Sequence, residues 1–302
     1  MKIKNKFNFK KILVTGGAGF LGSSLINFIS ENFKYEKIIS IDNYSSGTKK
    51  NHIKKKNIKY LNLDCRNIFK NKKIINFNPH FVFHFGEFSR VVPSFDLKRN
   101  CLDYNISGTL QIAKYALSKK SRLIYSATSM QLGKKINENL SPYAWSKSKN
   151  VELIKNFSKW YDLDYSIAYF FNVYGKKQIS SGAMASVIGI FERQYLNKKK
   201  LTVVKPGTQK RDFTHIDDVI NGTVLCAIKG KKKAYYIGSG KSYSIIKIAK
   251  KFGNKIKYLK RRPGEKFTGS AKLILAHREL GYRPTKDLMG YINIFKKTYK
   301  KY

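Results

Sequence analysis

The segment that constrains the fold most is "VTGGAGFLG". In it, Gly16 ends a short apolar run at 11–16, and Gly19 and Gly22 follow at intervals of three residues. An apolar run of this length is typical of a buried parallel strand. Apolar residues then recur at helical spacing over 20–33, which predicts a strand–turn–helix unit with the glycines in the turn. Gly16 permits the tight turn, Gly19 lets a ligand approach the helix N-terminus, and Gly22 lets the helix pack closely on the strand.

A second apolar run, "KIISID", ends at Asp42, about 20 residues beyond the glycines. A carboxylate at this place accepts hydrogen bonds from both hydroxyls of a ribose and repels a 2′-phosphate. The segment that follows, "NYSSG", contains no Arg to bind such a phosphate. The sequence therefore predicts a dinucleotide site that binds NAD rather than NADP. Together with the three glycines, the residues predicted to bind it here are Phe20, Leu21, Asp42 and Asn43.

Strands and helices alternate along the first part of the chain. Apolar runs of strand length separate stretches with apolar residues at helical spacing, and this alternation predicts a Rossmann-like α/β fold with a doubly wound parallel sheet. The strands predicted after the first are 37–42, 58–64, 80–85, 122–127 and 164–175, and the helices predicted after the first are 66–77, 98–119 and 143–162.

Beyond about residue 175 the alternation is less regular, and a smaller α/β lobe is predicted. No internal repeat and no Pro- or Ser-rich linker is present, so we expect the two parts to pack closely around a cleft. We predict an NAD-binding domain at 1–174 and a substrate-binding lobe at 175–302, with 215–238 packing back on the first domain. The lobe is expected to contain helices at 182–196 and 215–230, a strand at 201–204, further segments at 234–240, 244–253 and 256–265, and a terminal helical region.

The formal net charge of +43 allows two interpretations. A strongly basic chain can bind nucleic acid, because Lys and Arg neutralise phosphates. Most of the 61 cations are Lys, however, and they are spread along the whole chain, whereas base readout and bidentate phosphate contact rely on Arg. The sequence contains no zinc-finger, KH or RRM pattern. We therefore expect no specific nucleic-acid partner, only long-range attraction of anionic metabolites.

Cysteine usage and hydropathy bear on the cellular compartment. Cys65, Cys101 and Cys226 are odd in number and widely spaced, which fits neither a disulfide framework nor a zinc site. No run approaches the ~18 apolar residues of a membrane span, and the apolar stretch near the N-terminus is too short for a signal peptide. We expect a reduced, cytoplasmic protein with no metal and no membrane contact.

The segment "SPYAWSK" places Tyr143 one helical turn ahead of Lys147, with Ser141 and Pro142 marking a helix start. A free phenol has a pKa of ~10 and is a poor base at neutral pH. A nearby ammonium and a positively charged nicotinamide favour the phenolate, which could then take a proton from a substrate hydroxyl while NAD takes a hydride. Thr128, at the end of the strand "RLIYSAT", could hydrogen-bond the same hydroxyl. An isolated Tyr–Lys pair is common by chance, but this one lies downstream of the glycine motif.

With these motifs the chain resembles the extended short-chain dehydrogenase/reductase family, specifically its NAD-dependent nucleotide-sugar epimerases and dehydratases. The resemblance covers nearly all of the 302 residues. It implies 4-epimerisation of a nucleotide-diphosphate sugar, such as UDP-glucose, UDP-galactose or their N-acetyl forms, through a transient 4-keto intermediate. The segments that carry it include "VTGGAGFLG", "LDCRN", "FHFGEFSRVVPSF", "NISGT", "YSATS", "SPYAWSK", "FFNVYG", "GTQKRDFTHIDDV", "YIGSGKSYSI" and "RRPGE".

The resemblance also implies a role for individual residues. Thr128, Tyr143 and Lys147 would form the catalytic triad, with Tyr143 and Lys147 also contacting the cofactor. Two cations would match the charge of a diphosphate, although Arg211 could instead pair with Asp212 at the surface. The further residues implied to bind NAD are Asp64, Cys65, Phe85 and Asn105, and those implied to bind the nucleotide sugar are Asn172, Arg211, Arg262, Glu265 and Gly269.

The residues after Thr128 favour epimerisation over dehydration. The dehydratase branch has an Asp–Glu pair there, which supplies the acid and base for loss of water. Here Ser129 and Met130 occupy those positions, and neither moves a proton at neutral pH. The alternatives are a 4,6-dehydratase or 4-ketoreductase of nucleotide sugars, and a non-catalytic NAD- or RNA-binding scaffold. The intact triad argues against the scaffold.

Several positions depart from the family pattern. Glu87 and Arg90 stand where small or amide residues are usual, and each could contact the sugar or the nicotinamide, or they could pair with each other. Gly269 stands where a bulky Tyr would crowd the sugar 2-substituent, so it leaves room for an N-acetyl group. The resemblance further implies a homodimer through the helices at 98–119 and 143–162, whose apolar stripes could equally face the core.

Overall fold

Thirteen strands form the sheets of the computed structural model, which describes residues 7–132, 140–264 and 269–299. In chain order they are β1 (Lys11–Thr15), β2 (Lys37–Asp42), β3 (Ile58–Asn62), β4 (Phe81–His84), β5 (Arg122–Thr128), β6 (Tyr165–Phe170), β7 (Val173–Tyr174), β8 (Leu201–Val204), β9 (Lys210–Asp212), β10 (Thr214–His215), β11 (Ala234–Ile237), β12 (Ser242–Ser244) and β13 (Ile256–Leu259).

Seven of these strands pair in parallel in the order β3–β2–β1–β4–β5–β6–β11. The chain winds outward from β1 in one direction to β3 and then returns to β4 on the other side of β1. This reversal defines a topological switch point between β1 and β4. The predicted fold class, a Rossmann-like doubly wound parallel sheet, is confirmed.

Helices cover both faces of the sheet. A π-helical turn, Asp103–Ser107, joins two of them into one nearly continuous rod. In chain order they are α1 (Phe20–Asn32), α2 (Lys72–Ile75), α3 (Pro93–Asp96), α4 (Lys98–Leu102), α5 (Gly108–Ser118), α6 (Pro142–Tyr161), α7 (Val187–Leu196), α8 (Ile216–Lys229), α9 (Ile245–Phe252) and α10 (Leu288–Tyr299).

The alternation of side chains along β1 shows how the sheet separates two hydrophobic cores. Ile12 and Val14 point to one face, where they pack with residues of α1 and α8. Leu13 points to the other face, where it packs with residues of α5 and α6. Successive residues of a strand face opposite sides of the sheet, and here both sides are covered. The sequence of β1 is therefore a nearly continuous apolar run.

Two predicted elements differ in the structure. The helix predicted at 66–77 is a 3₁₀ turn, Cys65–Lys70, followed by the short α2, because the Asn71 side chain caps α2 and starts a new helix there. The strand predicted at 164–175 is divided into β6 and β7, and β7 leaves the large sheet to pair with β10. Both differences come from side-chain or tertiary contacts that override the local pattern.

The C-terminal part of the chain contributes to two cores. Helix α8 packs against α1 and β6, and β11 forms the edge of the large sheet beside β6. A third core lies among α7, α9, α10 and the paired strands β8 and β13, and includes Phe191, Val203 and Phe252. The division of the chain at 174/175 into two domains stays a prediction.

Two observations concern the expected compartment. Within the described ranges, no helix is long and apolar enough to cross a membrane. The three cysteines are buried and free.

The packing of α1 on β1 generates a prediction about Gly22. A Cβ atom built at Gly22 would lie 2.3 Å from the Gly16 carbonyl oxygen, whereas one built at Gly108, also helical, would meet only Cys65 Cβ at 3.5 Å. We expect Gly22→Ala to lower the free energy of unfolding by about 1–3 kcal/mol through overpacking. Gly108→Ala should be neutral or raise it by up to about 1 kcal/mol, because Ala favours helix. Urea unfolding of both variants checks this, and equal effects would contradict it.

Candidate active site

A cavity of about 490 Å³ lies at the carboxyl ends of the central strands, beside the switch point. Ligands of open α/β sheets bind in such a crevice. The predicted site residues that line the cavity are Gly16, Gly19, Phe20, Leu21, Gly22, Asp42, Asn43, Asp64, Cys65, Phe85, Thr128, Tyr143, Lys147, Asn172, Arg211 and Arg262.

Two described residues of the predicted site, Asn105 and Gly269, are not among those that line the cavity. Asn105 is buried behind the cavity, where its side chain accepts a hydrogen bond from the Phe88 amide (2.7 Å) and donates one to Ser146 Oγ (2.9 Å). The Gly269 carbonyl accepts a hydrogen bond from the Asp212 amide (3.1 Å). Glu265 lies outside the described residues. The roles expected for these three residues, like those of the residues that line the cavity, stay predictions.

The glycine turn brings the backbone close to the loop after β4. Gly16 has φ +68°, and a Cβ atom there would lie 2.8 Å from the Phe85 carbonyl. Gly19 caps α1 without a side-chain hydrogen bond, and the first turn of α1 contains no acidic residue. A helix N-terminus with open amides and no competing carboxylate suits a pyrophosphate. This arrangement fits the phosphates of a dinucleotide.

Asp42 lies at the end of β2, where a ribose would bind. Its carboxylate accepts hydrogen bonds from the amides of Ala18 (2.9 Å) and Tyr44 (2.8 Å). Burial raises the pKa of Asp42, while these two bonds and nearby His52 act to lower it. A carboxylate has about four acceptor positions, so two remain for ribose hydroxyls.

Asp64 lies beside Asn43 at the adenine end expected of the site. Burial acts to raise its pKa, but hydrogen bonds from the Arg66 side chain and amide and from Asn43 hold the pKa of Asp64 below its usual range. The side-chain Nδ2 of Asn43 donates to Asp64 Oδ2 (2.8 Å), and Arg66 Nε donates to Asp64 Oδ1 (2.9 Å). The side chain is therefore ionised and fixed in orientation at neutral pH.

At the opposite end, β5 and α6 present the predicted triad. Ser141 Oγ accepts a hydrogen bond from the Ala144 amide (3.1 Å) and Pro142 occupies the first helical position, so α6 begins where the sequence predicts. Tyr143 and Lys147 then lie one turn apart on the buried face of α6, with exposures of 8% and 4%. Thr128 ends β5, and its side chain acts to lower the pKa of the Tyr143 phenol.

The environment of Tyr143 opposes ionisation of its phenol. Burial raises the pKa of Tyr143 to about 12, the hydrogen bond from Thr128 lowers it, the Glu87 carboxylate raises it, and the Arg90 guanidinium lowers it. The phenol is therefore neutral at pH 7 in the protein without ligand. Because the charges of Glu87 and Arg90 oppose each other, an added positive charge at the cavity would be needed to favour the phenolate.

Lys147 forms a buried ion pair that the sequence analysis did not anticipate. Its ammonium donates to Glu87 Oε2 and to the Ser126 carbonyl oxygen. Burial lowers the pKa of Lys147, and the Glu87 carboxylate acts to raise it. Arg90 instead donates to the Met184 carbonyl (2.8 Å) and the Ser89 carbonyl (2.9 Å), so the expected alternative of a Glu87–Arg90 pair is wrong.

Three further donors hold the other oxygen of Glu87. A sequence signal for one of them exists, because Asn150 follows Lys147 by three residues and Tyr143 by seven and so shares their helix face. The donors to Glu87 Oε1 are Tyr125 Oη (2.9 Å), Asn150 Nδ2 (2.9 Å) and Thr109 Oγ1 (3.0 Å).

The residues predicted to bind the substrate also line the cavity: Arg211 on β9, Arg262 after β13 and Asn172 after β6. Asn172 Nδ2 donates to the Asp212 carbonyl oxygen (2.9 Å). The buried Asp212 carboxylate accepts hydrogen bonds from five groups in the described part of the chain. These donors are the amides of Ser239 (2.9 Å), Gly240 (2.9 Å) and Ala271 (3.0 Å) and the hydroxyls of Ser239 and Thr214.

Comparison with known proteins places this chain. The profile of the "NAD dependent epimerase/dehydratase family" matches residues 12–238. The chain belongs to this family. A relative named "Putative UDP-glucose 4-epimerase" from Methanocaldococcus jannaschii is 32% identical over 297 residues, which cover 92% of this chain and 94% of the relative.

Two other similar proteins are named for different reactions. The dTDP-D-glucose 4,6-dehydratase of Dictyostelium discoideum is 28% identical over 84% of this chain, and the match covers 64% of that protein. The crystal structure of the UDP-glucose 4-epimerase of Thermotoga maritima with UDP-glucose is 25% identical, with a TM-score of 0.89 over 96% of this chain and 99% of that chain. The predicted family and the NAD cofactor are confirmed, and the relatives support an enzyme of nucleotide-sugar chemistry.

The geometry of Asp42 generates a prediction about NAD binding. Asp42→Ala removes an ionised acceptor for the ribose, and each hydrogen bond to a charged group is worth about 1.5–3 kcal/mol. We therefore expect the Kd of NAD to rise by about 10- to 100-fold or more. Calorimetry on protein stripped of cofactor measures it, with Asp96→Ala on the exposed helix α3 as the control. An unchanged Kd in Asp42→Ala would contradict the assignment.

Proposed function

We propose that this protein catalyses the 4-epimerisation of a nucleotide-diphosphate sugar, with UDP-glucose, UDP-galactose or their N-acetyl forms as substrates. One observation carries the proposal. Thr128, Tyr143 and Lys147 line the same cavity as the glycine turn and Asp42, while Ser129 and Met130 are the next residues after Thr128. The groups expected to serve oxidation and reduction are therefore followed, at the two positions after Thr128, by side chains that cannot supply the acid and base of an elimination.

In the proposed reaction, Tyr143 is the acid–base group. NAD, when bound, supplies the acceptor that takes the hydride from the sugar C4 and later returns it. The Tyr143 phenolate takes the proton of the C4 hydroxyl, so the carbinol becomes a ketone and the phenol becomes neutral. Thr128, whose side chain lowers the pKa of this phenol, would hydrogen-bond the same sugar hydroxyl. After the sugar has turned its other face, Tyr143 gives the same proton back and the C4 centre is inverted.

The surroundings of Met130 favour epimerisation over dehydration. Met130 lines the cavity and packs with Phe88, Cys101 and Tyr143. Loss of water across C5 and C6 needs a base and an acid beside the sugar, and a thioether provides neither. A 4-ketone formed in this pocket therefore has no local route to elimination through Ser129 or Met130, whereas its reduction needs only the groups that formed it.

Arg211 and Arg262 support a diphosphate-containing substrate. Guanidinium groups bind phosphate oxygens by paired, charge-assisted hydrogen bonds. Both line the same cavity as the glycine turn, and both come from the C-terminal half of the chain. A nucleotide sugar with its diphosphate between them would place its sugar toward Tyr143. Asn172 would supply a further hydrogen bond to the phosphates.

We also propose that the protein is a homodimer formed through α6 and the helix before it. Three large side chains on α6 are partly exposed to solvent, Trp145 (39%), Trp160 (59%) and Tyr161 (57%). Covering them would remove apolar surface from water. A solution mass equal to one chain of 34.9 kDa would refute the dimer.

The experiment that tests the function incubates purified protein with UDP-glucose, UDP-galactose and their N-acetyl forms and separates the products by chromatography. We expect interconversion of C4 epimers without added reductant. Tyr143→Phe should lower kcat by about 10²- to 10⁴-fold, the usual contribution of a positioned acid–base group. Tyr258→Phe, at an exposed position of β13 away from the cavity lining, is the control. A 4-keto-6-deoxy product would show a dehydratase, and full activity in Tyr143→Phe would refute the mechanism.

A further inference from the structure

The buried carboxylate of Glu87 has no part in the proton transfer described above. Glu87 follows β4 by three residues, in the segment "GEFSR". Its side chain is 2% exposed, and that of its partner Lys147 is 5% exposed. A carboxylate is rarely buried to this extent unless it is paired and hydrogen-bonded. Here both of its oxygens have donors, so the group is built into the fold as an anion.

The ammonium of Lys147 is held in a fixed direction. It has three N–H donors, of which one points to Glu87 Oε2 and another to the Ser126 carbonyl oxygen. The nitrogen also lies 4.6 Å from the centre of the Tyr125 ring. Lys147 lines the cavity, so its remaining N–H is the one available to a molecule bound there.

Glu87 supplies the charge that keeps this ammonium protonated. A Lys buried without an anion loses its proton readily, because desolvation favours the neutral amine. Among the residues that the structure describes, the other titratable groups around the pair do not supply a negative charge at neutral pH. From β4, burial lowers the pKa of His84 to about 4, so it is neutral. From β5 and the helices, the pKa values of Tyr125, Cys101 and Tyr143 are all raised by burial.

We propose that Glu87 is a positioning residue for the reaction, because it holds Lys147 charged and directed at the cavity from behind the reacting groups. Its catalytic consequence rests on the proposed function, whereas the charge state of Lys147 does not. At Tyr143 the Glu87 carboxylate acts to raise the pKa of the phenol, and the Arg90 guanidinium acts to lower it. Arg90, which donates to neutral carbonyl groups, is then the cation that faces the phenol.

The test measures the titration of Lys147 directly by NMR of protein labelled with ¹³C at lysine Cε. The Lys147 signal is identified by its absence in Lys147→Arg. We expect Lys147 of the unmodified protein to stay protonated through neutral pH. In Glu87→Gln, which keeps the shape and removes the charge, the midpoint should fall by about two pH units or more. Tyr125→Phe removes one hydrogen bond to Glu87 and leaves both charges, so its midpoint should stay close to that of the unmodified protein.

Activity provides a second readout. If Glu87 acts through Lys147, the alkaline fall of kcat in Glu87→Gln should move to lower pH together with the Lys147 midpoint, with little change in KM for the nucleotide sugar. Glu87→Asp, which keeps the charge, should restore most of the unmodified profile. Should Glu87→Gln not fold, Glu87→Ala, which also removes the charge, takes its place in both measurements. A Lys147 midpoint that differs by less than half a pH unit between Glu87→Gln and the unmodified protein would overturn the proposal. A shifted midpoint in a protein that turns over no nucleotide sugar would refute only the proposed function.

Discussion

The reversal of strand order between β1 and β4 is the constraint on which this site depends. Parallel strands bring all their carboxyl ends to one edge, and the reversal sends the following segments away from each other. The loop after β1 forms the glycine turn, and β2 ends at Asp42. The loop after β4 contains Glu87, and β5 ends at Thr128. Residues far apart in the chain therefore meet in one cavity without any long-range sequence signal.

A continuous buried hydrogen-bond network then fixes these loops relative to each other. His84 lies between Thr15 (2.6 Å) and Thr109 (2.9 Å), and Thr109 donates to Glu87. Thr15 Oγ1 also accepts hydrogen bonds from the Phe85 and Gly86 amides, which holds the loop after β4 against the glycine turn. Because burial keeps His84 neutral, it acts here as a hydrogen-bonding bridge. A satisfied buried network of this kind rigidifies a site.

Much of this arrangement could be predicted from local pattern, and the reasons are physical. The apolar runs identify the central strands because both faces of the sheet are covered, and the turn at Gly16 needs a positive φ that glycine readily adopts. The spacing of Tyr143 and Lys147 places them on one helix face. Local sequence pattern does not predict contacts between side chains that are far apart in the chain. Glu87 could not be paired with Lys147 from sequence, because the two meet only through the packing of α6 against the loop after β4.

The catalytic proposal reduces to one claim, that the hydrogen removed from the sugar C4 returns to the same carbon. A nucleotide sugar carrying deuterium at C4 tests this directly when its products are analysed by mass spectrometry and NMR. We predict that deuterium remains at C4 in the epimer. Deuterium found at C6, or lost to solvent, would contradict it.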